Sequence, residues 1–259
     1  MREIHETILF FFIYSFLGWI FESIYCSIGN KKIINRGFLN GPICPIYGFG
    51  ALIIIFFLKN FQGNIILLFI FGALITSTLE YITGIILENL FNTTWWDYSK
   101  KRFNIKGRVC LKNSILFGVM SVVLIEVIHK NIYNLVVDIS DLLLIVVVIS
   151  ILVCFFIDLN FTVLSLNKLN RKLKFMDEIL LELSKLNINL DKFDEENIKK
   201  LFSHIKNKNI VNKIESIKEK STCQRRIIKA FPNMKHKYKQ DRLVYLKQII
   251  KDKKSGKLK

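Results

Sequence analysis

The chain has 259 residues, with 38 Lys and Arg against 21 Asp and Glu, 51% hydrophobic residues, 22 Phe and 3 Pro. This composition excludes a disordered, collagenous or disulfide-scaffold protein. Charge is segregated: residues 1–167 hold 12 basic and 10 acidic side chains, a net of +2, whereas residues 168–259 hold 26 and 11, a net of +15.

The apolar half reads as an all-α transmembrane domain, residues 1–166, because its uncharged runs approach the ~20 helical residues that cross a bilayer. Five spans are expected, at about residues 8–28, 43–58, 65–87, 114–132 and 142–166. The second and fourth are short, which implies local thinning or flanking loops set deep in the interface. The first is expected to stay in the mature chain, since it lacks a sizeable basic n-region and a small-x-small cleavage site. Lys31, Lys32 and Arg36 follow the first span, and Lys100, Lys101, Arg102, Lys106, Arg108 and Lys112 follow the third. The alternate segments carry only Arg2, Lys59 and Lys130. Positive loops are retained inside, so the amino terminus is expected outside and the basic tail inside. Cys26, Cys44, Cys110, Cys154 and Cys223 form no CxxC or Cys/His cluster. They read as small apolar residues, with no disulfide, metal or cofactor expected.

In chain order, the first span carries Tyr14, Gly18, Glu22 and Cys26 at fourfold spacing, with Ser15 adjacent; the third carries Gly72, Thr76, Glu80, Gly84 and Glu88; the fifth carries Ser150, Cys154, Asp158 and Thr162. Residues four apart share a helix face, and small or polar residues there let helices approach and bond. Glu22, Glu80 and Asp158 should sit at one depth near the inner boundary. An ionised carboxylate facing lipid costs about 2.5–3.5 kcal/mol, so all three should face protein or water. The seam is either a helix-packing interface or a polar path, with Arg36 and Arg108 the basic residues placed to dip toward it. Glu126 lies near the outer end of the fourth span beside Lys130 and reads as an interfacial ion pair.

The loop after the first span, Gly37-Phe38-Leu39-Asn40-Gly41-Pro42-Ile43-Cys44-Pro45-Ile46-Tyr47-Gly48, holds two of the three prolines and three of the 12 glycines. At membrane depth such backbone survives only buried in protein or lining water. It is either a re-entrant loop sealing the inner mouth of a cavity or a tight turn before the second span. Asn35-Arg36-Gly37 and Ile105-Lys106-Gly107 are each followed eleven residues later by a glycine, Gly48 and Gly118, which suggests a duplicated hairpin. Trp95-Trp96-Asp97-Tyr98 suits the headgroup zone.

Together, Tyr14-Ser15-Phe16-Leu17-Gly18-Trp19 with Glu22, Asn35 to Pro42 with Pro45, Tyr47 and Gly48, Leu79-Glu80-Tyr81 and Trp95 to Tyr98 make a recognisable pattern. It resembles the bacterial family of putative ABC-transporter type IV, or CmpB-like, membrane proteins, over about residues 8–125. The resemblance implies a multi-pass protein of the bacterial cytoplasmic membrane acting as a transport permease. Its signature falls on Gly18, Trp19, Glu22, Arg36, Gly37, Gly41, Pro42, Pro45, Tyr47, Gly48, Glu80, Trp96, Asp97 and Tyr98.

The tail, residues 167–259, opens with a heptad run of Leu166, Leu169, Leu173, Met176, Leu180, Leu183 and Leu190, with Asn187 at the polar position. It reads either as a coiled coil pairing with a second subunit or as an amphipathic helix on the inner leaflet or folded back on the tail. Gln224 to Pro232 and Met234 to Lys239 mix basic with apolar residues, and anionic lipid attracts such segments at ~1 kcal/mol per basic side chain. No nucleic-acid motif accompanies the charge, so none is expected as a partner. Three functions fit: a permease subunit energised by a separate ATPase, since no phosphate-binding G-x-x-x-x-G-K-[ST] loop occurs; a membrane enzyme on a lipid or lipid-linked substrate; or a non-transporting scaffold with a lipid-binding tail. With no nucleophile and base pair visible, no catalytic residue is assigned and the first reading is preferred.

Overall fold

The computed structural model describes residues 1–30, 34–185, 222–241, 243, 244 and 247. Helix α1 covers Arg2–Asn30, α2 Pro45–Leu58, α3 Ile65–Phe91, α4 Leu111–Val123, α5 His129–Val137, α6 Asp141–Lys185 and α7 Thr222–Ala230. A π-helical turn, Leu124–Ile128, fuses α4 to α5. Four stretches are long and apolar enough to cross a membrane: Arg2–Ile28, Ile65–Phe91, Leu111–Val137 and Asp141–Glu178. The second expected span is a shorter apolar helix, Pro45–Phe61 with its 3-10 end.

Local chemistry sets these boundaries. Pro45 occupies the first turn of α2, where its missing N–H costs nothing. The Asn64 side chain caps α3 by accepting from the Leu67 amide, and Asn92 ends it in the left-handed conformation at φ 51°. The fourth span runs past its expected end at 132 because the polar residues there bond within the helix. Lys130 pairs with Glu126 at 3.5 Å, as expected of that pair, and Asn131 donates to the Val127 carbonyl. Helix α6 shows no break at 166 and carries the apolar run directly into the basic segment.

The chain folds as two tight hairpins, α1 with α2 and α3 with α4, closed by α6. Glycines set the approach in both. Gly18 lies against the Tyr47 ring and Gly48 against Ser15 and Phe11, while Gly72 lies against Ser121 and Gly118 against Phe69. This small-residue packing is what brings apolar helices close when hydrophobic burial does not drive association. Large apolar side chains elsewhere on the rods stay outward, among them Phe56, Phe57, Ile66, Leu74, Phe156 and Phe161.

The two ends of the bundle differ. At one, Arg2 bonds Glu6, Asp141 and the Val137 and Ile139 carbonyls, and Glu126 accepts from the Gly63 amide at 2.6 Å. At the other, two short antiparallel pairings occur. Strand β2 (Asn104–Ile105) pairs with β3 (Val109–Cys110), and β1 (Thr93–Thr94) pairs with β4 (Lys235–His236) from the tail.

Here the tail takes the folded-back arrangement, one of the readings its sequence leaves open. Leu166, Leu169, Leu173 and Met176, the first half of the heptad seam, are buried against Ile227, Ile228, Phe231, Met234 and Leu243 of the same chain. The reason is amphipathy in α7, whose apolar face finds a matching stripe on α6 before any second subunit is needed. Leu180, Leu183, Asn187 and Leu190 lie outside the described side chains. The segments read as lipid-binding thus turn their apolar side inward, while Lys235 pairs with Asp97 and Lys239 with Asp177, and Lys229, Lys235 and Lys237 stay exposed.

A Cβ added at Gly48 would stand 2.6 Å from the Phe11 carbonyl oxygen, and one at Gly118 2.9 Å from that of Phe69. At Gly50 the nearest atom would be 3.5 Å away. Overpacking against backbone costs about 1–3 kcal/mol. Gly48→Ala and Gly118→Ala should each lower the thermal midpoint in detergent, and Gly50→Ala should leave it within error; equal midpoints for all three would contradict the close-approach account.

Candidate functional site

The non-helical segment between α1 and α2 sits among α1, α6 and the tail, which supply partners to many of its backbone groups. Asn35 organises its start. Its Oδ1 accepts from Trp19 Nε1 at 2.8 Å and from the Gly37 amide at 3.0 Å, while its Nδ2 donates to the Asn40 carbonyl at 3.0 Å. Asp158 takes the middle. Its Oδ1 accepts from the Asn40 amide at 3.1 Å and its Oδ2 from the Gly41 amide at 2.7 Å. Thr162, one turn along α6, bonds both Asp158 and the Asn40 side chain. At the end, the Cys44 amide donates to the Ser15 carbonyl at 3.0 Å.

The other acids lie around the same segment. Glu22 Oε2 accepts from the Tyr47 hydroxyl at 2.8 Å, and Glu22 Oε1 faces Arg36 Nε at 3.4 Å. Glu80 is 6% exposed, accepts from the Tyr98 hydroxyl at 3.4 Å and lies beside Asn113. Tyr98 stands between Glu80 and Glu22; burial, then the two negative charges, raises its pKa from the ordinary tyrosine value. The structure therefore brings Glu22, Glu80, Asp158, Arg36, Tyr47, Tyr98 and the loop residues Gly37, Asn40 and Gly41 to one end of the bundle. Pro42 follows that clamp, and Pro45 and Gly48 open α2 beside it.

Several expected members are elsewhere. Arg108 pairs with Glu88 at 2.5 Å and lies over the Tyr81 ring, because Gly84 leaves room for its stem along α3. Tyr14 bonds His129 Nδ1 at 2.8 Å in an aromatic cluster two turns from Glu22. The Thr76 hydroxyl donates to its own helix at Gly72, and Gly18 serves as the packing surface for Tyr47. The aromatic cluster is also not a free headgroup anchor. Trp95 is 2% exposed, packed against Phe38, Phe91 and Phe231, and Trp96 is half-buried with its Nε1 on the Arg108 carbonyl.

The residue that sequence reasoning missed is Arg226. Its guanidinium reaches from α7 to three loop oxygens: Asn40 Oδ1 at 3.0 Å, the Gly37 carbonyl at 2.7 Å and the Phe38 carbonyl at 2.9 Å. Arg36 reciprocates, donating to the Ala230 carbonyl with its guanidinium 4.6 Å from the Phe231 centroid. The only available signal was a pair of arginines inside an amphipathic run, which does not identify its acceptor.

A family model described as "Putative ABC-transporter type IV" matches residues 9–163. No curated protein and no solved structure matches the chain.

Hydrogen bonds to a charged group contribute about 1.5–3 kcal/mol each. Asp158→Asn, which removes the charge and one acceptor, should loosen the loop, and buried Cys44 (7% exposed) should react with a maleimide at least about tenfold faster. An unchanged rate would show that the carboxylate does not hold the loop. The Lys235 contact, with the Ser99 amide, pushes the Asp97 pKa down to about 2. Because the folded value lies below the unfolded ~3.9, this stabilisation is complete above about pH 4 and is lost as pH falls toward 2. Cleavage of the tail by an acid protease should rise across that window, and in Lys235→Ala cleavage should already be faster at about pH 5 and rise less as the pH falls.

Proposed function

The chain belongs to the putative ABC-transporter type IV family, and on that premise we propose that it is a permease subunit of the bacterial cytoplasmic membrane, energised by a separate ATPase. In this reading α2 completes five crossings, the Arg2 and Asp141 end faces outward, and the loop-and-tail end faces the cytosol. The distribution of Lys and Arg supports that orientation. The segment from Arg36 to Gly48 then acts as the cytoplasmic seal of the route, with Glu22 and Glu80 on its inner side.

The observation that carries this is the Asp158 clamp. A non-helical segment at the level of an apolar bundle is tolerated when its amides are bonded. Here a single carboxylate holds two of them, so one side chain carries the middle of the segment. Opening requires release from Asp158 on one side and Arg226 on the other. Glu22 and Glu80 would then offer negative charge to a cationic solute or proton. A second reading, a non-transporting scaffold, is favoured by one fact: each of the three acids has partners within the chain.

Reconstituted vesicles separate the two. Loaded with a panel of ions and small cationic solutes, vesicles holding the native protein should release at least one of them, and Asp158→Asn should raise uncoupled release about tenfold. Glu22→Gln with Glu80→Gln should abolish selectivity; identical release from all variants and from empty vesicles would leave the scaffold. Purification from native membranes in mild detergent should recover an ATP-binding-cassette subunit. For orientation, His5→Cys should react with an impermeant maleimide in intact cells, and Lys100→Cys only after lysis; the reverse result would invert the topology.

A further inference from the structure

Beside the Asp158 clamp, the loop, α6 and the tail do not close completely. They leave a cavity of about 400 Å3 lined by Asn40, Phe161, Ser165, Cys223 and Arg226. Its walls are of two kinds. Arg226, Asn40 and Ser165 bring nitrogen and oxygen, whereas Phe161 is 63% exposed and is flanked by the outward Ile157 and Leu164 on the apolar surface of α6. The position along α6 matters as much. Phe161 belongs to the apolar run, and from Lys168 onward come Arg171, Lys172 and Lys174. In a bilayer this is the level at which acyl chains meet headgroups.

The Arg226 guanidinium gives the cavity its chemistry. Its three loop acceptors are all neutral oxygens. Among the described residues no carboxylate oxygen lies within ion-pair distance of it. The acid whose charge reaches it, Asp158, already has its oxygens engaged by the Asn40 and Gly41 amides. A guanidinium has five N–H groups in a planar fork that matches phosphate. Burial opposes its charge and lowers its pKa from the ordinary value, a cost that an anion in the cavity would offset. Ser165 lines the same space, and the volume lies within the ~300–1,000 Å3 of ligand sites. Two exposed lysines stand three positions along from lining residues, Lys168 after Ser165 and Lys229 after Arg226, and so on neighbouring faces of their helices.

We propose that this cavity binds the phosphate group of an anionic membrane lipid, with Arg226 and Ser165 holding phosphate oxygens and Phe161 contacting the start of the acyl chain. The lipid enters sideways along α6 and lies against the side chain that latches the tail to the loop. Occupancy therefore stabilises the docked tail. This goes beyond the permease reading and stands or falls separately from it, since it depends on the cavity and not on any flux.

The test uses the full chain in a neutral detergent, titrated with fluorescent dioctanoyl phosphatidylglycerol, dioctanoyl phosphatidylcholine and inorganic phosphate. Phosphatidylglycerol should bind at least about tenfold more tightly than phosphatidylcholine, and inorganic phosphate should fail to displace it at matched concentration. Arg226→Gln should lose at least about tenfold in affinity for phosphatidylglycerol. Because Arg226 also holds the loop, Ser165→Phe provides the second variant: it fills the cavity without touching the clamp and should lose binding while keeping the native thermal midpoint. Phosphatidylglycerol should also slow proteolysis of the tail in the native protein and not in Ser165→Phe. Equal binding of the two lipids, displacement by free phosphate, or native affinity in Ser165→Phe would each overturn the proposal.

Discussion

The fold depends on satisfying a stretch of non-helical backbone inside an apolar bundle. Residues 34–44 leave α1 and enter α2 without helical hydrogen bonds, and an amide left buried and unpaired there costs about 1–3 kcal/mol. Asn35, Asp158, Thr162, the Ser15 carbonyl and Arg226 supply the missing partners. They come from the segment itself, from α1, from α6 and from the tail, so the segment can be in place only when α1, α6 and the tail are.

That dependence joins features that look unrelated along the chain. The acid in α6 is held by two backbone amides that donate to its oxygens. The basic tail, which by charge alone suits a lipid surface, spends its central arginine on carbonyls of the membrane domain. Its apolar face covers Leu166, Leu169 and Leu173. Paired strands β1 and β4 and the Asp97–Lys235 contact fix the far end of the same docking surface. A shared hydrophobic cluster thus joins Phe91 and Trp95 to the tail across residue 166.

The pairing of hairpins is also more than a repeat of spacing. Each incoming helix ties an acid to an arginine of the loop that follows, Glu22 to Arg36 and Glu88 to Arg108. Each outgoing helix begins after a buried cysteine in an extended conformation, Cys44 or Cys110, and packs a glycine on its partner, Gly48 or Gly118. The hairpins diverge where it matters for the candidate site. Only the first carries the proline-rich loop that needs external clamps, and only the second has a buried acid, Glu80, whose hydroxyl partner lies in a loop rather than on the returning helix.

The sequence by itself determined the helices, their apolar character, the segregation of charge and the family, because periodicity, run length and local motifs act over a few residues and need no partner to be read. It placed α2 closely, since Pro45 both begins the helix and announces it. It also marked Glu22, Glu80 and Asp158 as side chains that must find company. Which company they find was decided by the tertiary structure alone. Asp158 meets the Asn40 amide 118 residues away and Arg226 meets Asn40 from 186 residues away. Arg108 turns to Glu88, and the leucine seam of α6 closes on its own tail. These choices rest on shape and mutual exclusion among groups brought together only by packing, and no local pattern encodes which of several chemically suitable partners arrives first.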